Sequence, residues 1–182
     1  MKKLLLLLIL SVATLQPVSA QSYRGFADIE AGCFINIGTA PLKAPLFGIT
    51  TTHGIQLAEK FFIGAGTGIL ISTLDLPYAD FSANRAMPFY ADFRFDWWTG
   101  KKANPFIDLK LGGTITQSGG FLGKGFYLNP TIGIRMRLTN RMGINLGLSY
   151  SCLQSAGYYE CSEHHRKSQL ENAISIKAGI DF

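Results

Sequence analysis

Apolar and polar side chains alternate along most of this chain with a period of two. The last stretch shows it best: Ile174, Ile176, Ala178, Ile180 and Phe182 share one face, while Ser175, Lys177, Gly179 and Asp181 share the other. Period-two alternation predicts a strand with one apolar face. The same pattern predicts seven earlier strands, over 26–37, 47–57, 61–71, 89–98, 106–116, 126–138 and 142–150. Their connections alternate between long polar or glycine-rich loops (38–46, 72–87, 117–125, 151–169) and short turns (58–60, 99–105, 139–141). A final strand that ends on a bare aromatic is a poor choice in water, where sheet edges are blunted or charged. It fits if that edge closes against the first strand and its apolar face meets lipid.

The charged residues of these segments decide which face is which. Asp28, Glu30, Asp92, Arg94, Asp96, Asp108, Lys110, Arg135, Arg137, Glu171, Lys177 and Asp181 all fall in the phase opposite the apolar one. Glycines such as Gly32, Gly64, Gly66, Gly68, Gly133 and Gly147 share that phase. An eight-stranded barrel has an interior only wide enough for side chains to fill, so small groups are needed there. An apolar exterior around a polar, glycine-relieved interior is the membrane arrangement. The expected fold is therefore all-β: an eight-stranded antiparallel up-and-down transmembrane β-barrel. Aromatics gather at strand ends, with Phe61, Trp97, Phe106 and Phe182 expected in one membrane girdle and Phe47, Phe89, Phe126 and Tyr150 in the other. Two residues fit poorly. His53 lies mid-strand in the lipid-facing phase, where a bulge at Gly54 would shift it. Pro130 removes a ladder donor, which predicts a bulge or an overhanging strand.

The first twenty residues stand apart. Lys2 and Lys3 precede the apolar run Leu4–Leu10, and Val18-Ser19-Ala20 fits small-residue cleavage. This predicts a signal peptide over 1–20 and a barrel domain over 21–182. No cysteine follows the cut, so a lipid-anchored N-terminus is not expected. The formal net charge of +5 includes the two leader lysines. So mild an excess, on an exported chain, gives no reason to expect nucleic acid. Cys152 and Cys161, nine apart in a polar segment, are a disulfide candidate closing a loop in an oxidising compartment; two unpaired thiols are the alternative.

These features resemble the small eight-stranded outer-membrane barrels of the OmpA/OmpX type, and in particular the Bacteroidota "outer membrane protein β-barrel domain" proteins. The resemblance covers Gln21 to Phe182 and rests on the leader, the eight alternating segments and the closing Gly179-Ile180-Asp181-Phe182. It implies a Gram-negative outer-membrane location, contact with outer-membrane lipid, and recognition by the barrel-assembly machinery, with Phe182 as part of the insertion signal. No wall-binding domain follows, so a wall tether is not implied.

The candidate site is a lumen charge network of Asp28, Glu30, Asp92, Arg94, Asp96, Asp108, Lys110, Arg135, Arg137 and Lys177. Unpaired charge in a narrow lumen is costly, so the first reading is a self-neutralising structural network, with a gated ion path as the alternative. The last loop carries Glu163, His164, His165, Arg166, Lys167 and Ser168, which suit a metal site, a lipid-modifying enzyme or simply a solvated loop. Leu74, Leu76, Tyr78 and Phe81 give the second loop an apolar contact surface. The expected function is a non-enzymatic, cofactor-free, monomeric outer-membrane barrel whose loops meet an extracellular ligand or surface partner. The alternatives are a narrow porin-like channel and a lipid-modifying enzyme using loop 151–170.

Overall fold

In the computed structural model, residues 22–37, 44–57, 59–74, 82–98, 101–118, 121–139, 142–155 and 169–182 are described. The leader, Cys161 and the 163–168 cluster of the last loop lie outside these residues, as do Leu76, Tyr78 and Phe81.

Eight strands follow one another: β1 (Ser22–Ile37), β2 (Pro45–Leu57), β3 (Phe61–Leu74), β4 (Ser82–Asp96), β5 (Ala103–Ser118), β6 (Phe121–Arg137), β7 (Gly143–Ser155) and β8 (Gln169–Asp181). Each pairs antiparallel with its sequence neighbours, and β1 pairs with β8 to close the barrel. The closing seam runs from Phe26↔Asp181 to Ile37↔Glu171, with a bulge between Phe34 and Asn36. It is extended by two bonds at the chain end, Gly25 N to Phe182 O (2.8 Å) and Phe182 N to Gly25 O (3.0 Å). The sheet therefore has no free edge, which removes the hazard that the apolar last strand would pose in isolation.

The strands are longer than the apolar alternation predicts. Residues 72–87 are largely ladder, since β3 and β4 pair out to Leu74↔Ser82. Within the glycine-rich 117–125 segment the β5–β6 ladder carries on to Ser118↔Phe121, and β7 reaches Ser155. Backbone pairing carries these ends beyond the apolar belt, where side-chain hydrophobicity no longer marks the strand.

Neither expected bulge is present. The registers through Arg24↔Gly54 and Gly54↔Gly64 run unbroken, so no bulge moves His53, which stays on the outer face. Around Pro130 the β6–β7 register is the same on both sides, Leu128↔Cys152 and Thr131↔Ser149, with Asn129 and Pro130 unpaired in that ladder. The proline thus costs ladder bonds without shifting the strand.

Inside and outside are sorted as a lipid-immersed barrel requires. Ile29, Ile49, Ile132, Leu148 and Ile176 are exposed on the outer wall, Ile176 at 68 %, whereas Asp28, Glu30, Lys110 and Lys177 are buried within. The glycines make this possible. A Cβ at Gly66 would stand 2.6 Å from the Tyr90 ring, and one at Gly133 would stand 2.6 Å from Phe106 Cζ. Large rings lie flat across the lumen because the facing positions carry no side chain.

Candidate functional site

The lumen is filled in three tiers. At the turn end Asp181, with 0 % exposure, is the hub. Arg135 donates to it through Nε (3.0 Å) and Nη2 (2.5 Å), and Arg24 through Nε (3.2 Å), with Arg24 Nη2 also within 3.1 Å. Asn145 Nδ2 adds a fifth contact at 3.3 Å. Arg24 Nη1 also bonds Asp96 (2.9 Å), which accepts from Arg94 Nε at 3.2 Å. The Arg94 guanidinium lies 3.6 Å from the centroid of the Phe106 ring and 4.8 Å from that of Phe26. Cation–π contact of this kind strengthens once water is excluded.

In the middle tier Lys110 Nζ bonds Asp28 (3.0 Å) and lies over the Tyr90 ring. Lys177 Nζ donates to Asn129 Oδ1 (2.7 Å) and Thr131 Oγ1 (3.0 Å), with Glu30 Oε2 at 3.9 Å. Glu30 Oε1 in turn accepts from Ser151 and Ser175. Asp92 and Asp108 stand in register with Lys110 and Arg94 across β4 and β5. A void of about 10 Å³ remains between Asp28, Arg94, Asp108, Asn145 and Lys177, roughly the size of one water. Asp108 Oδ1, which has no protein partner, belongs to a residue on its wall.

The loop-end tier is apolar. Phe34, Leu46, Leu70, Tyr90, Tyr127 and Leu153 pack together inside the barrel, Tyr127 fully buried. Nothing in the alternation signals this plug, because these residues occupy the phase that is polar elsewhere.

Of the ten residues expected in the lumen network, Asp28, Glu30, Asp92, Arg94, Asp96, Asp108, Lys110 and Lys177 are buried there, and Arg135 is half-buried. Arg137 is not part of it: it is exposed at the turn-end rim. Arg24 belongs to the network but lies before the start expected for the first strand. Its parity with Asp28 and Glu30 was the available signal. Asp181, the hub, has the right phase but no special pattern in the sequence.

The girdle needs one correction. Phe47, Phe61, Phe89, Trp97, Phe126, Tyr150 and Phe182 are exposed on the outer wall, but Phe106 is 3 % exposed and faces the lumen. It shares the parity of Asp108 and Lys110, and Arg94 covers its ring. His53 is held on the outer wall by Tyr23 Oη at Nδ1 (2.5 Å) and Thr51 Oγ1 at Nε2 (3.1 Å), with the Phe182 ring edge-on. A cross-strand partner on β1 and a same-strand partner two residues earlier on β2 satisfy a polar ring that would otherwise face lipid bare. Among the described residues Cys33 and Cys152 carry free thiols; the candidate partner Cys161 lies outside them.

A closed eight-stranded antiparallel barrel with an apolar wall and a filled polar lumen has the architecture of the small outer-membrane barrels. Comparison with a solved structure agrees at the level of fold. Neisserial surface protein A superposes with a TM-score of 0.61 at 14 % identity, covering 88 % of this chain and 97 % of that one. The N-terminal barrel domain of Pseudomonas aeruginosa OprF gives 0.49 at 13 % identity, covering 87 % of this chain and 97 % of that one. OprG from the same organism gives 0.46 at 13 %, covering 89 % and 95 %. No protein-family model matches the sequence, and no curated protein does.

Proposed function

We propose that the chain is an integral outer-membrane barrel with a closed lumen, serving envelope structure or surface binding through its loops rather than transport or catalysis. The observation that supports this most is the filling of the lumen. Within the described residues, Arg24, Arg94, Lys110, Arg135 and Lys177 meet Asp28, Glu30, Asp92, Asp96, Asp108 and Asp181, so the interior is close to neutral. The apolar plug of Phe34, Leu46, Leu70, Tyr127 and Leu153 caps that network at the loop end. Charges held largely in pairs and covered by packed apolar side chains leave no aqueous thread for an ion to follow.

On this reading the barrel inserts through the outer-membrane assembly machinery with Phe182 as a signal, lives among outer-membrane lipid as a monomer, and needs no cofactor. The finer kinship with the Bacteroidota barrel proteins belongs to the same proposal. Purified protein reconstituted into planar lipid bilayers tests the closed lumen: baseline current at both polarities is expected. Stable, reproducible channels would overturn the proposal in favour of a narrow porin.

A further inference from the structure

The outer wall carries a concavity that a smooth barrel would lack. A groove of about 1020 Å³ crosses five adjacent strands, from β8 over β1, β2 and β3 to β4. Ile29, Phe47, Ile71 and Met87 are among the larger side chains that line it, and Thr51 and Thr67 are among the shorter ones. Four interstrand spacings of about 4.8 Å make it roughly 19 Å across. The β3–β4 ladder skips pairings between Thr67↔Phe89 and Leu70↔Ala86, beside Pro88, which has no N–H to give. Its volume is that of a site for a sizeable ligand, and its lining is almost wholly apolar.

A second observation says what fits it. Arg85 lies in the outward phase of β4, two residues beyond Met87 towards the loop end, and is exposed. It is in register with Ile71 of the groove on one side and with Gln117 of β5 on the other. Lys124, also outward and exposed, is in register with Ile115 on β5, two residues below Gln117. Among the described residues neither Arg85 nor Lys124 forms an ion pair. Arg85 therefore stands at the loop-end edge of the groove, with Gln117 and Lys124 on the next two strands beyond it, where apolar wall gives way to polar rim. A guanidinium there offers a planar fork to a phosphate.

We propose that this groove binds a phosphorylated glycolipid carrying several acyl chains, with the chains laid against the wall between β8 and β4 and a phosphate held by Arg85 and assisted by Lys124. The breadth favours several chains over the two of an ordinary phospholipid. A second copy of this chain fits less well, because an isologous contact brings the same apolar lining and offers Arg85 no anion. The inference rests on the membrane reading given above, with the long loops outward.

The full chain, refolded into phosphatidylcholine nanodiscs doped with equal amounts of lipid A and phosphatidylglycerol, tests it by native mass spectrometry of the retained lipids. Lipid A is expected to be retained in preference to phosphatidylglycerol. Arg85→Gln should cut that retention about tenfold or more, as loss of one bidentate charged contact would. Thr67→Phe, which fills the groove and leaves the cations alone, should also lower it. Equal retention of the two lipids, indifference to Arg85→Gln, or a retained dimer would each overturn the proposal. Heat-modifiable gel mobility of the same samples separates the two levels. If the wild-type chain lacks it, the membrane reading falls and this proposal with it; if it is intact without a lipid preference, the groove proposal alone falls.

Discussion

Replacing Asp181 by Asn removes one negative charge from the centre of the turn-end network and almost nothing else in shape. Asp181 takes both Arg135 contacts, two from Arg24 and one from Asn145 while fully buried. Arg24 would keep Asp96 at 2.9 Å, but Arg135 would have no ionic partner left among the described residues. Breaking a buried ion pair by removing one member costs about 3–5 kcal/mol, because the other charge stays behind desolvated. Asn can still accept one bond, so the lower half of that range is expected. That corresponds to a shift of about two to three orders of magnitude in the unfolding equilibrium. Urea unfolding in lipid vesicles, followed by the fluorescence of Trp97 and Trp98, measures it. Arg137→Gln at the exposed rim is the matched control and should stay within about 0.5 kcal/mol of wild type. Combining Asp181→Asn with Arg135→Gln should cost less than the sum of the two, since the stranded charge goes with its partner. A loss below about 1 kcal/mol for Asp181→Asn alone would refute the hub.

Phe106 separates a lumen position from a girdle position. Phe106→Ala removes a buried ring and the face on which Arg94 rests, and should cost about 3–5 kcal/mol in the same unfolding assay, whereas Phe126→Ala on the lipid-exposed wall should cost clearly less. Deleting Phe182 removes the two terminal bonds to Gly25 and the ring that covers it. It should slow folding into vesicles, read as delayed appearance of the heat-modifiable band, and a wild-type rate would remove Phe182 from the assembly step.

Much of the fold can be read from one rule applied at each position. Period two, with the charges of the eight apolar-alternating segments confined to one phase, leaves the apolar phase no aqueous role there, and strand number, order and inside–outside assignment follow. The failures have physical causes. Strand ends such as Ser82–Arg85 and Ser151–Ser155 carry no large apolar residue in the outward phase, so only backbone pairing marks them. Phe106 reads as a girdle aromatic if its strand-end position is weighed above its parity, yet parity decides the face a strand residue takes. Arg24 sits in a polar stretch where alternation has barely begun. Thr51 is a same-face neighbour of His53 two residues away, but Tyr23 reaches it from β1 through register, and register is not written in a single strand. The apolar plug is hidden because Phe34, Leu46, Leu70 and Leu153 stand in the lumen phase, and only their shared height at the loop end makes them a cluster.

The central claim is that the apolar phase faces lipid and the charged phase is sealed inside. Spin labels placed singly at Ile49, Ile132 and Ile176, in a background with Cys33, Cys152 and Cys161 replaced by Ser, test it by collision accessibility in reconstituted vesicles. High accessibility to oxygen and low accessibility to a water-soluble nickel chelate is the predicted result at all three positions. Free access of the nickel chelate to those labels, or a protein that stays dispersed in water without detergent, would contradict it.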